Sequence, residues 1–276
     1  MTDDSDGSDE SMIMVALANP RTEGPLMTVA VALARQQGAE VLATHIVQVP
    51  DQTPLSAAAE NDDLTAESKR LLAQAKDDAE AMGVDIETTT ILSHRGLEEV
   101  FDAARVHDVD TVVMGYGGAR FAGGRAETAV DELTHDLPCD FLVLKDRDFD
   151  PSRILLPTAG GYSSVLSAEV ARALRDSLGS EVSILYVADE DEHEEGREFI
   201  TEWAAEHDLD DAEILVETGD VEDAIEEAAA SRTLVVIGAT EKGLLSRIVG
   251  GSLAFSVLED LDTSVLLAER PTSRSL

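Results

Sequence analysis

Aromatic residues are scarce in this sequence, 4% of 276, so its cores must be filled by valine, leucine, isoleucine and alanine within a hydrophobic share of 43%. Cysteine occurs once, at Cys139, which excludes an internal disulfide and a cysteine-built metal cage. Long apolar runs are missing as well. Asp, Glu, Arg or Gly interrupts each of them well short of the ~18 residues a membrane span needs. The acidic start also lacks the basic-then-apolar layout of a secretory signal. The expectation is a soluble, cytoplasmic protein that is not embedded in a membrane. Basic residues are the scarcest class: 20 against 57 acidic ones, with only Lys69, Lys76, Lys145 and Lys242 as lysines, for a net charge of −37. Such a field repels phosphate backbones and anionic lipid, so nucleic acid is excluded as a partner.

What is present is a repeat. Its length suits two units of about 140 residues, and the landmarks recur in order. Met12–Pro20 aligns with Arg153–Gly161 at an offset of 141 residues, and the same offset pairs Gly38–Val41 with Gly179–Val182. Gly96 and Gly115 are separated by 19 residues, as are Gly219 and Gly238. Phe141–Leu144 then matches Val265–Ala268. Four landmarks in preserved order indicate a duplication.

Each copy alternates short apolar runs with helical stripes. The runs at 12–17, 41–47, 86–92, 111–115 and 141–144, and at 153–157, 182–187, 213–217, 234–238 and 264–268, read as strands covered on both faces. Leu26, Val29, Ala30 and Leu33 make one helical stripe that stops at Gly38; Val165, Ala168, Ala171 and Leu174 make its counterpart before Gly179. The fold class is therefore α/β, with two tandem doubly wound five-stranded parallel-sheet domains at 11–146 and 152–270. Residues 1–10 read as an acidic disordered tail, and Asp146–Ser152 as a short linker. The first copy is longer between strand two and helix three, 49 residues from Val47 to Gly96 against 31 from Ala188 to Gly219. The excess, Pro50–Thr65, reads as a surface loop. All six histidines read as solvated or strand-edge residues.

In such a sheet, ligands sit beyond the carboxyl ends of the strands, where strand order reverses. The loop after the fourth strand of copy two runs from Gly238 through Thr240 to Gly251-Ser252, with glycines that admit a phosphate to backbone amides and a helix start beyond. This spacing resembles the G-x2-G-x9-G-(S/T) loop of the universal stress proteins, and the apolar helix and strand of 253–267 are similar to that family too. Leu17-Ala-Asn-Pro20 and Leu156-Pro-Thr-Ala-Gly-Gly161 resemble the first-strand loops of the paired stress domains attached to amino-acid permeases.

The resemblance implies an adenine nucleotide alpha-hydrolase-like fold and a non-catalytic stress-response regulator. ATP or AMP, with Mg, would be held in copy two by Thr158, Ala159, Val187, Gly238, Thr240, Gly251 and Ser252. Gly115, Gly118 and Thr128 form the weaker counterpart in copy one. The departures are Ala18 and Ala159, where ATP-binding members carry Asp, and Glu241 and Glu127, where the motif has glycine. The alternative is a nucleotide-independent module that docks on a membrane transporter or another protein. The resemblance further implies pairing through strands 141–144 and 264–268, either within one chain, as a monomeric pseudo-dimer, or between chains, as a homodimer.

The charge is spread along the whole chain and lysine gives way to arginine, a pattern read as adaptation to a halophile's salt. At about 1 M salt the repulsion between acids is screened within ~3 Å. The chain is expected to fold in molar KCl and to lose its circular-dichroism signal in dilute buffer; a melting temperature indifferent to KCl would contradict this reading.

Overall fold

The computed structural model describes residues 11–116, 137–238 and 261–271. The first half runs β1 (Met12–Leu17), α1 (Pro20–Gln37), β2 (Glu40–Gln48), α2 (Leu55–Ala59), α3 (Asp62–Ala81), β3 (Ile86–Ser93), α4 (Leu97–Val106), β4 (Thr111–Gly115) and β5 (Asp140–Lys145). The second half runs β6 (Arg153–Pro157), α5 (Ser163–Leu178), β7 (Glu181–Ala188), α6 (His193–Glu206), β8 (Glu213–Thr218), α7 (Val221–Ala229), β9 (Leu234–Gly238) and β10 (Ser264–Glu269). The strands fall within a residue or two of the apolar runs.

Helix limits follow local chemistry. Asn19 caps α1, its Oδ1 accepting from the amides of Arg21 (3.0 Å) and Thr22 (3.2 Å). Gly38 and Gly179 close α1 and α5 in the left-handed region, at φ 68° and 75°. One expectation fails. Pro50–Thr65 is not all loop: α2 occupies 55–59 and α3 begins at Asp62. Pro54 directly precedes α2 and Asp62 opens α3, whereas Pro50 and Asp51 keep to a turn before them.

The described strands form one ten-stranded sheet, ordered β3-β2-β1-β4-β5-β10-β9-β6-β7-β8. Each half is parallel and has the same order, first through fifth strands arranged 3-2-1-4-5, so strand order reverses between β1 and β4 and between β6 and β9. The halves meet where β5 and β10 pair antiparallel, Lys145 opposite Val265 and Glu269 opposite Phe141. The two edge strands thus pair within the chain. One face of the sheet is covered by α1, α3, α5 and α6 over a common apolar core that includes Leu33, Leu71, Leu174 and Trp203. On the other face, α4 covers the first half through Val100 and Phe101, and α7 covers the second through Ile225. Cys139 packs in the first of these, fully buried.

Arg270, directly after β10, braces the junction. Its guanidinium donates to Asp140 at the start of β5 (2.8 Å) and to Glu169 of α5 (2.7 Å), with all three side chains largely out of water. Nearby, α1 and α5 pack against each other.

Buried polar groups collect between α1, α3 and β2. His45 is half-buried, its Nδ1 without a hydrogen-bond partner, and burial pushes the imidazole below its usual value against the opposing pull of Glu67. It lies inside β2, away from the sheet edge, and departs from the solvated or strand-edge reading; His94, which follows the edge strand β3, is partly exposed and bonded to the Val49 carbonyl at 3.0 Å.

Glu23 of α1 has no exposed surface; its Oε2 accepts from Gln74 of α3 (2.8 Å), while Oε1 has no donor. Burial, then the Asp78 carboxylate beside it, raises the Glu23 carboxyl from 4.5 to about 7, the Gln74 bond pulling the other way. The protonated acid can donate to Asp78 and join the two helices. The folded state then binds a proton that the unfolded state releases, so this contribution to stability is full below about 4.5 and is lost as pH rises through about 7. Glu23→Gln mimics the protonated acid. It should flatten that slope and raise stability at pH 8 by of the order of 2 kcal/mol, checked by denaturant unfolding across pH.

Candidate functional site

The carboxyl ends of β1, β2, β4 and β5 surround a cleft of about 400 Å³ at the point where the first half's strand order reverses. It opens on the α4 face. Side chains alternate along β2, so Leu42, Thr44 and Ile46 share that face, and Ala16, Ile46, Val100 and Met114 give the cleft apolar walls. Thr44 is the exception among them. It lines the cleft with no exposed surface, and its Oγ1 has no hydrogen-bond partner. Leaving a buried hydroxyl unpaired costs ~1–3 kcal/mol, so a group of the right chemistry entering the cleft would recover that cost.

The mouth is basic. Arg21 and Thr22 come from the first turn of α1, while Lys145, Asp146 and Arg147 follow from β5. Asp146 is engaged locally, its Oδ1 accepting from the amide of Phe149 at 2.9 Å. Lys145 is buried, and its Nζ donates to the carbonyl of Leu261 at 3.1 Å. Arg21, Lys145 and Arg147 stand against one carboxylate, Asp146, so the described lining of this opening is net positive on a chain with 20 basic residues in all. Ala18 lines the mouth and adds no further carboxylate to it.

The second half differs at the equivalent edge. Thr158 and Ala159 follow β6, Gly238 ends β9 beside it, and Val187 lies near the end of β7, so these four share one edge of the sheet. The loop after β6 is tied down: its Thr158 amide donates to Leu185 O of β7 and its Gly160 amide to Thr158 Oγ1, both at 2.9 Å. Phe199 of α6, paired with Tyr186 at 5.4 Å between ring centres, sits so close to Gly160 (φ 73°) that a Cβ there would overlap its ring. The rim is acidic, with exposed Asp189, Glu190, Asp191, Glu194 and Glu195 after β7, Glu217 at the end of β8, and Asp220 and Glu222 after it.

The strand register sharpens the contrast. Lys145 and Glu269 end β5 and β10 at equivalent positions, both buried, with opposite charge.

Of the residues expected from sequence, Gly115 lines the first-half cleft. Gly118, Thr128, Thr240, Gly251 and Ser252 lie outside the described residues. Sequence reasoning missed Arg21, Thr44, Ile46, Val100, Lys145 and Arg147. Two of these left a signal: Thr44 is a hydroxyl inside an apolar strand, and Lys145 is one of four lysines, ending another. Among the described residues no group of three or more His, Cys, Asp or Glu side chains could hold a metal ion, and no helix is long and apolar enough to cross a membrane.

Residues 11–145 match the Universal stress protein family, so the first half carries a domain of that family. In fold the whole chain is similar to a universal stress protein from Archaeoglobus fulgidus, with 14% identity, 94% of this chain and 96% of that one covered, and a TM-score of 0.66. It is also similar to the cytoplasmic domain of a prokaryotic cation chloride cotransporter, with 10% identity, 94% and 95% covered, and a TM-score of 0.63. At these identities the likenesses establish the fold. No curated protein matches the sequence.

Proposed function

We propose that this chain is a non-catalytic, cytoplasmic regulatory protein, a tandem pair of stress domains from a high-salt organism, and that its ligand is an adenine nucleotide, ATP or AMP, seated in the first half. One observation carries the seat: an apolar slot with a buried, unpartnered Thr44 hydroxyl at its wall and Arg21 and Arg147 at its mouth. A flat base fits between apolar walls, a hydroxyl can meet its ring nitrogens, and cations at the opening suit a phosphate. The seat is assigned to the first half although the glycine spacing is better kept in the second. There Phe199 crowds the loop after β6 and the rim is acidic, which opposes an anion. A binding role is favoured over catalysis because, among the described residues, the titratable ones that line the cleft are Arg21, Tyr116, Lys145, Asp146 and Arg147, with no histidine. A carboxylate held by a backbone amide and cations at a mouth bind; they do not form a nucleophile–base pair.

Thermal unfolding with millimolar AMP or Mg-ATP tests this, since a ligand specific to the native state must stabilise it, by ~2.7 kcal/mol at a hundredfold excess over Kd. The wild type should gain. Thr44→Val should gain little, while its ligand-free form is more stable by about 1 kcal/mol through loss of an unpaired hydroxyl. No shift with either nucleotide would leave the second reading, a nucleotide-independent module docking on a transporter, for which the fold of the cotransporter's cytoplasmic domain is the precedent.

A further inference from the structure

We propose that the second half completes the anion-binding mouth of the first, and that Ser264 is the positioning residue through which it does so. The inference rests on the ligand seat described above and adds how that seat is held. Lys145 and Arg147 lie where β5 runs against β10. The Arg147 amide donates to Ser264 Oγ at 3.0 Å, across 117 residues of sequence, and Ser264 is wholly buried at the first position of β10. The Lys145 ammonium reaches Leu261 O, three residues earlier. With the Asp146–Phe149 turn bond, the chain from 145 to 149 is pinned at three points, two of them supplied by the other half.

The pinning has a consequence for charge. Arg147 is exposed and also borders a second opening, lined by Asp148, Asp150 and Asp262. Fixing its peptide at Ser264 holds the side chain where it also lines the ligand cleft. The counterpart of Ser264 in the first half is Asp140, and it does something different: it binds the Arg270 guanidinium and braces the sheet. Equivalent positions in the two halves therefore serve unequal ends, one arranging a mouth and the other locking a junction.

The test is isothermal titration of the full chain at one KCl concentration, with AMP as the anionic probe and adenosine as its uncharged counterpart. Ser264→Ala removes one hydrogen bond, and should weaken AMP about fivefold while leaving adenosine within about twofold of wild type. In an Arg147→Gln background the same change should cost AMP nothing further, because the group that Ser264 positions is gone. Ser264→Cys, similar in volume and a much weaker acceptor, gives the same comparison should the alanine variant not fold. Equal losses for AMP and adenosine, or full additivity with Arg147→Gln, would overturn the positioning role alone. A wild-type chain that binds neither probe would overturn the ligand seat itself, and this inference with it.

Discussion

Everything in this architecture depends on the antiparallel pairing of β5 with β10. Taken separately, each half would end in an edge strand of almost wholly apolar sequence, Phe141–Leu144 or Val265–Ala268, with a row of unpaired amides and carbonyls. Such edges invite aggregation unless blunted or covered. Here each satisfies the other. The strands left at the outer edges are of another kind: β3 exposes Glu87, and β8 exposes Glu213 and Glu217, charged residues that discourage further pairing. The junction is then reinforced on one side of the sheet by the packing of α1 on α5, and at its end by Arg270 between Asp140 and Glu169.

That pairing also sets the electrostatics. It places the carboxyl end of β5 beside the amino end of β10, so that the cationic mouth of the first half leans on Leu261 and Ser264. The acidic background is no obstacle to an anion at such a point. A strongly negative surface raises the contrast of an opening where cations outnumber acids, provided that ionic strength screens the remainder. The second half has gone the other way, with Glu269 where the first has Lys145 and acids along its rim. Two halves of one strand order thus differ in the charge they present at this edge.

The strands and the repeat were legible because apolar runs and glycine stops are local signals, and Gly38 and Gly179 end their helices as read. The region 50–65 was not, since Pro, Asp and Asn serve equally as loop formers and as helix starters, and only packing of α3 on β2 and β3 decides between them. The site was half legible. Glycine spacing drew attention to the second half, whereas the features that favour the first are three-dimensional. Thr44 becomes a candidate only once its partnerless burial is known. Lys145 and Glu269 become a charge-reversed pair only once the register of β5 and β10 is known. Glu23, an acid in the first turns of an otherwise ordinary helix, carries no sequence mark of its burial against Gln74 and Asp78.

The measurement that bears most directly on this account is amide hydrogen exchange of the intact chain, resolved at β5 and β10. If the two halves are one sheet held at that pairing, the amides of 141–145 and 265–269 exchange only with global unfolding, as slowly as those of β1 and β9. Faster exchange at β5 and β10 than at β1 and β9 would show halves that separate on their own, and a mouth that does not depend on its neighbour.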